Sequence, residues 1–189
     1  MVSTRTACVN QSTLISLRIS EIDDQVDKWW ERWRGVPSVD RLFYAASNLG
    51  DFSLIWHIVG GIRALPPGRN ARAAVGFSAL LGLESLLVNQ GIKRFFRRSR
   101  PGAASDNPTA HQLREPLTSS FPSGHASAAF CASAVLARRS RLGKLWYLAA
   151  GIVSCSRLHV RLHHSSDVAA GAAIGFLLGK AVSKLLPED

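Results

Sequence analysis

The chain has 189 residues, which is enough for one compact domain or a bundle of about five or six helices and too few for two domains. Lys and Arg number 23 against 13 Asp and Glu, giving a formal net charge of +10 at pH 7. Because 47% of the residues are hydrophobic, the chain is not a disordered polycation, and its charge predicts an anionic partner. Its three cysteines, Cys8, Cys131 and Cys155, offer neither a disulfide framework nor a cysteine-based zinc site.

The first element is an amphipathic helix predicted over residues 13–34, where apolar residues recur at helical spacing among charged ones. Trp29, Trp30 and Trp33 lie beside basic residues, and both residue types are favoured at the headgroup surface of a membrane. We therefore expect residues 1–40 to form an interfacial segment. The alternative is a surface helix packed on a soluble core.

Five apolar segments, rich in Ala, Gly, Ser and Leu, follow the amphipathic helix. They span residues 42–65, 71–92, 121–137, 145–156 and 168–186. A bilayer-spanning helix needs about 20 mostly apolar residues, and small residues allow such helices to pack closely in lipid. We expect an all-α, multi-pass membrane helical bundle of about five or six spans over residues 41–189, with a soluble all-α domain as the alternative. Insertion must use these internal segments, because the apolar stretch 14–20 is too short for a signal peptide and contains Arg18.

A basic run, KRFFRRSRP, occupies residues 93–101 at the end of the second apolar segment. Such a run is typical of a solvated face, and it is also able to bind nucleic acid or lipid headgroups. If Phe95 and Phe96 lie at the lipid boundary, Lys93 and Arg100 are left to face one anionic group. The segment 101–120 is the only substantial loop that the sequence predicts.

A second polar stretch, SSFPSGHAS, directly precedes an apolar run. Pro122 has a φ angle suited to the first turn of a helix, and Ser119 or Ser120 can cap that helix. The residues that would then lie at the free N–H groups of the helix start are Ser123, Gly124 and His125. Such N–H groups bind anions, and a histidine there can transfer a proton near neutral pH. The alternative is an ordinary capped helix start with an incidental histidine.

A third polar stretch, SRLHVRLHHSSDV, covers residues 156–168. His163 and Asp167 are four residues apart, so on one helical face the carboxylate would accept the Nδ1 proton and leave Nε2 nucleophilic. His159 and His163 have the same spacing, which makes a metal pair a rival interpretation. The stretch lacks the Glu of a His-Glu-x-x-His helix, so we expect no catalytic metal. A helix N-cap is the structural alternative for Asp167.

Together the three stretches resemble the three-part signature of the type 2 phosphatidic acid phosphatase family. The matching positions are Lys93, Arg100 and Pro101; Pro122, Ser123, Gly124 and His125; and Ser156, Arg157, His163 and Asp167. All three parts occur in order and with the family spacing. The family shares its site with bacterial class A acid phosphatases and vanadium haloperoxidases. The short region before Lys93 is similar to that of the smaller polyprenyl-phosphate-type members.

The resemblance implies a multi-pass enzyme of the cell membrane, with an α-helical core, that hydrolyses the terminal phosphate of a lipid. By the same resemblance, the phosphate would be held by the side chains of Lys93, Arg100, Ser123 and Arg157 and by the N–H of Gly124. His163, oriented by Asp167, would attack phosphorus to form a phosphohistidine, and His125 would protonate the departing oxygen and then activate water. We expect no cofactor, a lipid phosphate and the bilayer as partners, and no nucleic acid.

Two other functions remain open from the sequence. One is a soluble or peripheral acid phosphatase or vanadium-dependent haloperoxidase-like enzyme, and the other is a noncatalytic basic membrane protein that binds anionic lipid. The lipid itself is open, because phosphatidate, phosphatidylglycerol phosphate, polyprenyl phosphates or diphosphates and polyprenyl phosphosugars all carry a terminal phosphate. Glu84, within an apolar segment, is a functional candidate or the partner of a basic residue. His159 and His164 are spare histidines able to contact substrate, and His57 is expected in the core.

Overall fold

The computed structural model describes residues 10–65, 71–104, 118–138 and 140–184. These residues form seven α-helices joined by turns and short 3₁₀ segments, and they contain no strand. The helices are α1 (Gln11–Trp30), α2 (Pro37–Gly50), α3 (Leu54–Ala64), α4 (Ala71–Ser85), α5 (Gly124–Ala137), α6 (Gly143–His159) and α7 (Ser165–Val182). The all-α prediction is confirmed for the described residues. Most of the predicted loop 101–120, and Cys8, lie outside them.

The first predicted apolar segment, residues 42–65, forms two helices instead of one. A short 3₁₀ turn, Asp51–Ser53, separates α2 from α3. Phe52 and Ser53 have positive φ angles of 51° and 58°, which a continuous α-helix does not contain. Hydropathy could not reveal this break, because the residues on both sides of it are apolar. The turn carries Asp51 towards a histidine of α5.

The second apolar segment is longer than α4 itself. The helix continues through a π-helical turn, Leu86–Gly91, and a 3₁₀ turn, Ile92–Phe95. The whole stretch Ala71–Phe95 has 25 residues; within the described part of the chain, it and α7 are the two helical stretches long and apolar enough to cross a membrane. π-helical turns are rare and often occur at functional sites, and this one directly precedes the turn that holds Lys93.

α5 lies at the centre of the bundle. Most of its residues are buried, and it packs against α4, α6 and, most extensively, α7. α7 presents Gly171, Gly175 and Gly179 to α5, and a Cβ atom on any of them would overlap backbone atoms of α5. Glycine at this spacing therefore allows the two helices to approach closely. As a result their first turns are adjacent, and the N–H of Ser123 donates to the carbonyl oxygen of Asp167 (3.0 Å).

α1 buries a charged residue and exposes most of its apolar ones. Asp23 is the one residue of α1 that is buried. The exposed large apolar side chains of this helix are Leu14, Ile15, Leu17, Ile19, Ile22 and Trp29. A surface helix on a soluble core shows the opposite pattern, with its apolar stripe facing inwards. The burial pattern of α1 therefore argues against the soluble-core alternative.

Candidate active site

The start of α5 differs from the prediction. The helix begins at Gly124 with Ser123 as its N-cap, so the predicted first turn at Pro122 is wrong. The hydroxyl of Ser123 accepts a hydrogen bond from the N–H of Ala126 (3.4 Å). A Cβ atom on Gly124 would lie 2.7 Å from Oδ1 of Asn89, so the absence of a side chain lets the start of α5 pack against the π-helical turn after α4.

The two serines that were predicted as caps bind the basic run instead. The hydroxyl of Ser119 accepts a hydrogen bond from the N–H of Arg98 (3.1 Å). The hydroxyl of Ser120 donates to the carbonyl oxygen of Ser99 (3.0 Å). Because these bonds join residues 21 positions apart, they bring the basic run to the N-terminal end of α5.

His163 lies in the turn between α6 and α7, where its N–H donates to the carbonyl oxygen of Arg157 (3.2 Å). Its Nε2 is 3.3 Å from Nη1 of Arg100, and its Nδ1 is 3.8 Å from Oδ2 of Asp167. A guanidinium only donates, so Nε2 accepts, and the proton of the neutral ring lies on Nδ1, facing Asp167. The two side chains face each other at 3.8 Å, which is an ion-pair distance and not the predicted hydrogen bond. They do not share a helical face as predicted, because α7 begins at Ser165 and His163 lies before it.

The surroundings of His163 keep its ring neutral. Burial lowers the pKa of His163 to about 3, and the positive charges of Arg157, Arg100 and Lys93 act in the same direction. Asp167 raises this pKa, but not enough to offset burial and the three cations. At neutral pH Nε2 is therefore unprotonated and keeps its lone pair, which is the state that a nucleophilic histidine needs.

The three cations predicted to bind phosphate come together beside His163. Lys93, Arg100 and Arg157 are only 7%, 6% and 3% exposed, and they interact electrostatically with one another. Nη1 of Arg100 also donates to the carbonyl oxygen of Leu162 (2.7 Å), in the turn that carries His163. Like charges repel when buried, so this cationic cluster (Lys93, Arg100 and Arg157) predicts an anionic ligand.

His125, in the first turn of α5, lies beside the same cationic cluster. Its ring interacts electrostatically with Arg157 and Lys93, and both of these cations also act on His163. Nε2 of His125 is 2.9 Å from Oδ1 of Asp51, in the turn between α2 and α3. The hydrogen bond with His125 holds the pKa of Asp51 below its ordinary value. The site therefore contains two histidines next to one cationic cluster, each facing a carboxylate.

Sequence similarity decides the family. The family model described as PAP2 superfamily matches residues 73–189. The chain belongs to the PAP2 superfamily. It is 31% identical over 142 residues to a decaprenylphosphoryl-5-phosphoribose phosphatase of Mycobacterium tuberculosis (strain H37Rv), with 74% of this chain and 76% of that protein covered. A protein of the same name from Mycolicibacterium smegmatis is 34% identical over 139 residues, with 72% and 73% covered.

Two further similarities are to Bacillus subtilis proteins. Phosphatidylglycerophosphatase B is 32% identical over 104 residues, with 49% of this chain and 48% of that protein covered. The crystal structure of a transmembrane PAP2 type phosphatidylglycerolphosphate phosphatase has a TM-score of 0.68 and 24% identity, with 88% and 85% covered, and therefore shares the fold. The family prediction is confirmed, and the predicted lipid-phosphatase activity agrees with the activities in the relatives' names.

In this PAP2 superfamily member, the sequence analysis missed several residues that contact the site, and two of them lie in α2 and the turn after it. One is Asp51, and the other is Ser47 of α2, whose hydroxyl accepts a hydrogen bond from Nη1 of Arg157 (2.5 Å). Both precede the matched region 73–189. Asp51 is the one acid of the apolar segment 42–65, so the rule that singled out Glu84 would also have selected it. Ser47 carries no comparable signal.

The spare histidines have structural contacts. Nδ1 of His159 accepts a hydrogen bond from a tryptophan of α1 (3.1 Å), and Nε2 is 2.8 Å from Oδ1 of Asp40. Both ring nitrogens are thus engaged, and among the described residues no group of three or more His, Cys, Asp or Glu could hold a metal ion. The N–H of His164 donates to Oδ2 of Asp167 (2.9 Å). Asp167 therefore also stabilises the start of α7, but as the third residue of a capping box whose N-cap is His164, so the alternative that Asp167 is itself the N-cap is wrong.

Two polar residues of the apolar helices are not part of the cationic cluster: Glu84 lies at the edge of the site, and His57 lies outside it. Glu84 is buried in α4 and interacts electrostatically with Lys93, but within the described part of the chain neither of its carboxylate oxygens has a hydrogen-bond partner. Pairing with a basic residue therefore stays a prediction. Nδ1 of His57 is 3.0 Å from the hydroxyl of Ser78, a contact between α3 and α4. His57 is therefore a packing residue and not part of the site.

Proposed function

We propose that this chain is a multi-pass protein of the cell membrane that hydrolyses the terminal phosphate of a polyprenyl-linked sugar phosphate through a phosphohistidine at His163. The observation that carries the proposal is the position of Nε2 of His163, 3.3 Å from Arg100 and beside cations that also act on His125. The two mycobacterial relatives, aligned over about three quarters of their length, support decaprenylphosphoryl-5-phosphoribose as the substrate type.

The cationic cluster supplies what hydrolysis of a phosphate monoester needs most. The uncatalysed reaction is among the slowest known, and enzymes accelerate it by up to ~10²¹-fold. Lys93, Arg100 and Arg157 would neutralise the equatorial oxygens of the phosphoryl group, the two arginines through forked contacts. The hydroxyl of Ser123 and the N–H of Gly124, at the start of α5, would add hydrogen bonds to the same oxygens.

In the first step, Nε2 of His163 attacks phosphorus. The N–P bond forms as the ester P–O bond breaks, and the departing sugar oxygen takes a proton from His125. Asp51, 2.9 Å from His125, stabilises the protonated ring before this transfer. Asp167 stabilises the positive charge that develops on the ring of His163, and we expect their 3.8 Å separation to shorten as it does so.

In the second step, water hydrolyses the phosphoenzyme. His125, now neutral, accepts a proton from the water, whose oxygen attacks phosphorus. The N–P bond breaks, its electron pair returns to Nε2 of His163, and inorganic phosphate leaves. The protonated His125 is then ready for the next cycle. Side chains perform every step, so we propose no metal cofactor.

The exposed side chains of α1 support a placement of the site at the membrane surface. Its exposed apolar side chains and Trp29 would enter the headgroup region, as expected for the interfacial segment 1–40. Asp23 of this helix binds the first turn of α7, so the site would face the same membrane surface. We propose that residues 41–189 cross the bilayer about five or six times, which the shared fold of the transmembrane relative supports, although Ala71–Phe95 and α7 are the two described stretches long and apolar enough by themselves. A lipid headgroup would then reach the cationic cluster while its tail stays in the bilayer.

Release of phosphate from a panel of lipids tests this function. The full chain, purified in detergent, would be assayed with a polyprenylphosphoryl pentose phosphate, phosphatidylglycerol phosphate, phosphatidate and a polyprenyl diphosphate, each with and without excess chelator. We expect the highest kcat/KM for the polyprenylphosphoryl pentose phosphate, no effect of chelator, and a loss in His163→Ala of about 10²-fold or more.

Three results would contradict the proposal. The first is phosphate release that chelator abolishes, and the second is near-normal release by His163→Ala. The third is binding of anionic vesicles without any release of phosphate, which is the result that a noncatalytic lipid-binding protein predicts. A free pentose phosphate would be assayed beside the lipids. If its turnover equalled that of the polyprenylphosphoryl pentose phosphate, the substrate would be water-soluble and the acid phosphatase alternative would be supported.

A further inference from the structure

α1 places a carboxylate against the turn that carries the nucleophile. Oδ1 of Asp23 accepts hydrogen bonds from the hydroxyl of Ser165 (2.6 Å) and the N–H of Ser166 (2.8 Å), and Oδ2 accepts one from the hydroxyl of Ser166 (2.7 Å). These serines form the first turn of α7, directly after His163 and His164. The side chain of Asp23 is only 2% exposed, although the rest of α1 is largely exposed. Polar contacts through one carboxylate therefore attach α1 to the site.

Arg98 joins Asp23 to Asp167. Nη2 of Arg98 is 2.5 Å from Oδ2 of Asp23, and Nη1 is 2.6 Å from Oδ1 of Asp167. The other carboxylate oxygen of Asp167 faces Nδ1 of His163 at 3.8 Å. A continuous path of charged contacts thus runs from α1 through the basic run to the nucleophile.

This path restrains the carboxylate of Asp167. Arg98 binds Oδ1 of Asp167, and the N–H of His164 binds Oδ2 (2.9 Å). Contacts at both oxygens restrict rotation of the carboxylate, so Oδ2 stays directed at His163. Arg98 keeps 26% of its side chain exposed, and its Nη1 also donates to the hydroxyl of Ser166 (2.7 Å). Without Asp23, Nη2 loses its carboxylate and the guanidinium is less restrained. Burial raises the pKa of Asp23, but hydrogen bonds from Ser165, Ser166 and Arg98 outweigh burial and lower that pKa below its ordinary value. Asp23 is therefore charged at neutral pH.

We propose that Asp23 and Arg98 are positioning residues for the nucleophile: Asp23 holds Arg98 in the orientation in which Arg98 fixes Asp167 behind His163. This inference rests on the proposed function of His163. Asp23 precedes the region that matches the PAP2 superfamily, residues 73–189. The N-terminal helix thus contributes to the chemistry from outside that region, and neither positioning residue touches the substrate.

Steady-state kinetics of the full chain test the proposal. The variants are Asp23→Asn, Arg98→Gln and their combination, assayed with the lipid phosphate that the wild-type chain hydrolyses fastest. The matched controls are Asp24→Asn, at the next and exposed position of α1, and Arg97→Gln, at an exposed position beside Arg98. The measured quantities are kcat, KM and the inhibition constant of inorganic phosphate.

We expect each single variant to lower kcat by about 10- to 100-fold, as loss of a residue that orients a reacting group does. KM and the inhibition constant of phosphate should stay within about twofold of wild type, because the cationic cluster is untouched. The two controls should match wild type. Since Asp23 acts through Arg98, the double variant should lose no more activity than the more damaging single variant.

Three outcomes would overturn the proposal. They are a normal kcat in Asp23→Asn, losses that multiply in the double variant, and a loss of inhibition by phosphate that accompanies the loss of kcat. The last outcome would show that the contact is structural, because the phosphate site itself would have been disrupted.

Failure of this inference is distinguishable from failure of the proposed function. If the wild-type chain releases no phosphate, or if His163→Ala keeps normal activity, the proposed function has failed. If wild type is active, His163→Ala is inactive and Asp23→Asn matches its control, only the positioning role has failed.

Discussion

The substitution Gly171→Ala tests whether the starts of α5 and α7 must touch for the site to form. A Cβ atom on Gly171 would overlap the carbonyl oxygen of Ser123 and lie 3.1 Å from its carbonyl carbon. The obstacle is backbone, so no side-chain rotation relieves the overlap. The two helices must therefore separate. Separation lengthens the hydrogen bond from the N–H of Ser123 to the carbonyl oxygen of Asp167, which is 3.0 Å long.

The expected cost follows from this overlap. Inserting a methyl group into a close-packed contact costs about 1–3 kcal/mol, and replacing Gly by Ala within a helix returns about 0.5–1 kcal/mol. A net loss of about 1–2 kcal/mol lowers the Tm of a chain of this size by about 2–8 °C. The effect on rate should be larger, because a displacement of about 1 Å between reacting groups costs on the order of 100-fold.

The assay combines thermal unfolding in detergent with release of phosphate from lipid. Gly151→Ala in α6 is the matched control, because a Cβ atom there meets nothing within 4 Å. We expect this control to keep full activity and an unchanged or slightly raised Tm. If Gly171→Ala were as stable and as active as Gly151→Ala, the close contact between α5 and α7 would not be what positions the site.

Three further predictions concern the site itself. Asp51→Asn should lower turnover by on the order of 10-fold while phosphoenzyme still forms in a rapid-quench assay, since Asp51 acts on His125; unchanged turnover would contradict this. Ser47→Ala removes an acceptor of Arg157 and should raise the inhibition constant of inorganic phosphate by about 5-fold, from a loss of about 1 kcal/mol; an unchanged constant would show that Ser47 does not hold Arg157. The free energy of unfolding should fall as pH falls from about 6.5, because the unfolded chain protonates a histidine that the fold keeps neutral down to about pH 3. Unfolding in denaturant at several pH values should show that the free energy of unfolding depends less on pH in His163→Gln than in wild type. An equal pH dependence in the two proteins would show that His163 is not its cause.

The residues of the site could be predicted from the sequence where short spacing decides the geometry. His163 and Asp167 are close in the chain, and their side chains face each other in the fold. Convergence of the basic run with Arg157 could be predicted only through the family resemblance, because no local pattern specifies it. Residues that meet through distant contacts were missed, as with Asp51, which reaches His125 across 74 positions.

The remaining errors share one physical cause, which is competition between local and distant partners. Ser119 and Ser120 are good helix caps by composition, yet their hydroxyls bind Arg98 and Ser99 instead. In α1 the amphipathic pattern predicts a helix, but it does not predict that Asp23 faces the protein. That orientation depends on Arg98 and on the serines of α7, which lie 75 or more positions away.

The most direct test of the account is the identity of the phosphorylated residue. His125→Ala would be mixed with a lipid whose terminal phosphate is radiolabelled, quenched in alkali, which preserves phosphohistidine, and mapped by mass spectrometry of peptides. The account predicts that the trapped phosphate lies on His163, at less than one phosphate per chain because His125 also assists the first step, and that none is trapped when His163→Ala is added. Label on any other residue, or full turnover by His163→Ala, would contradict it.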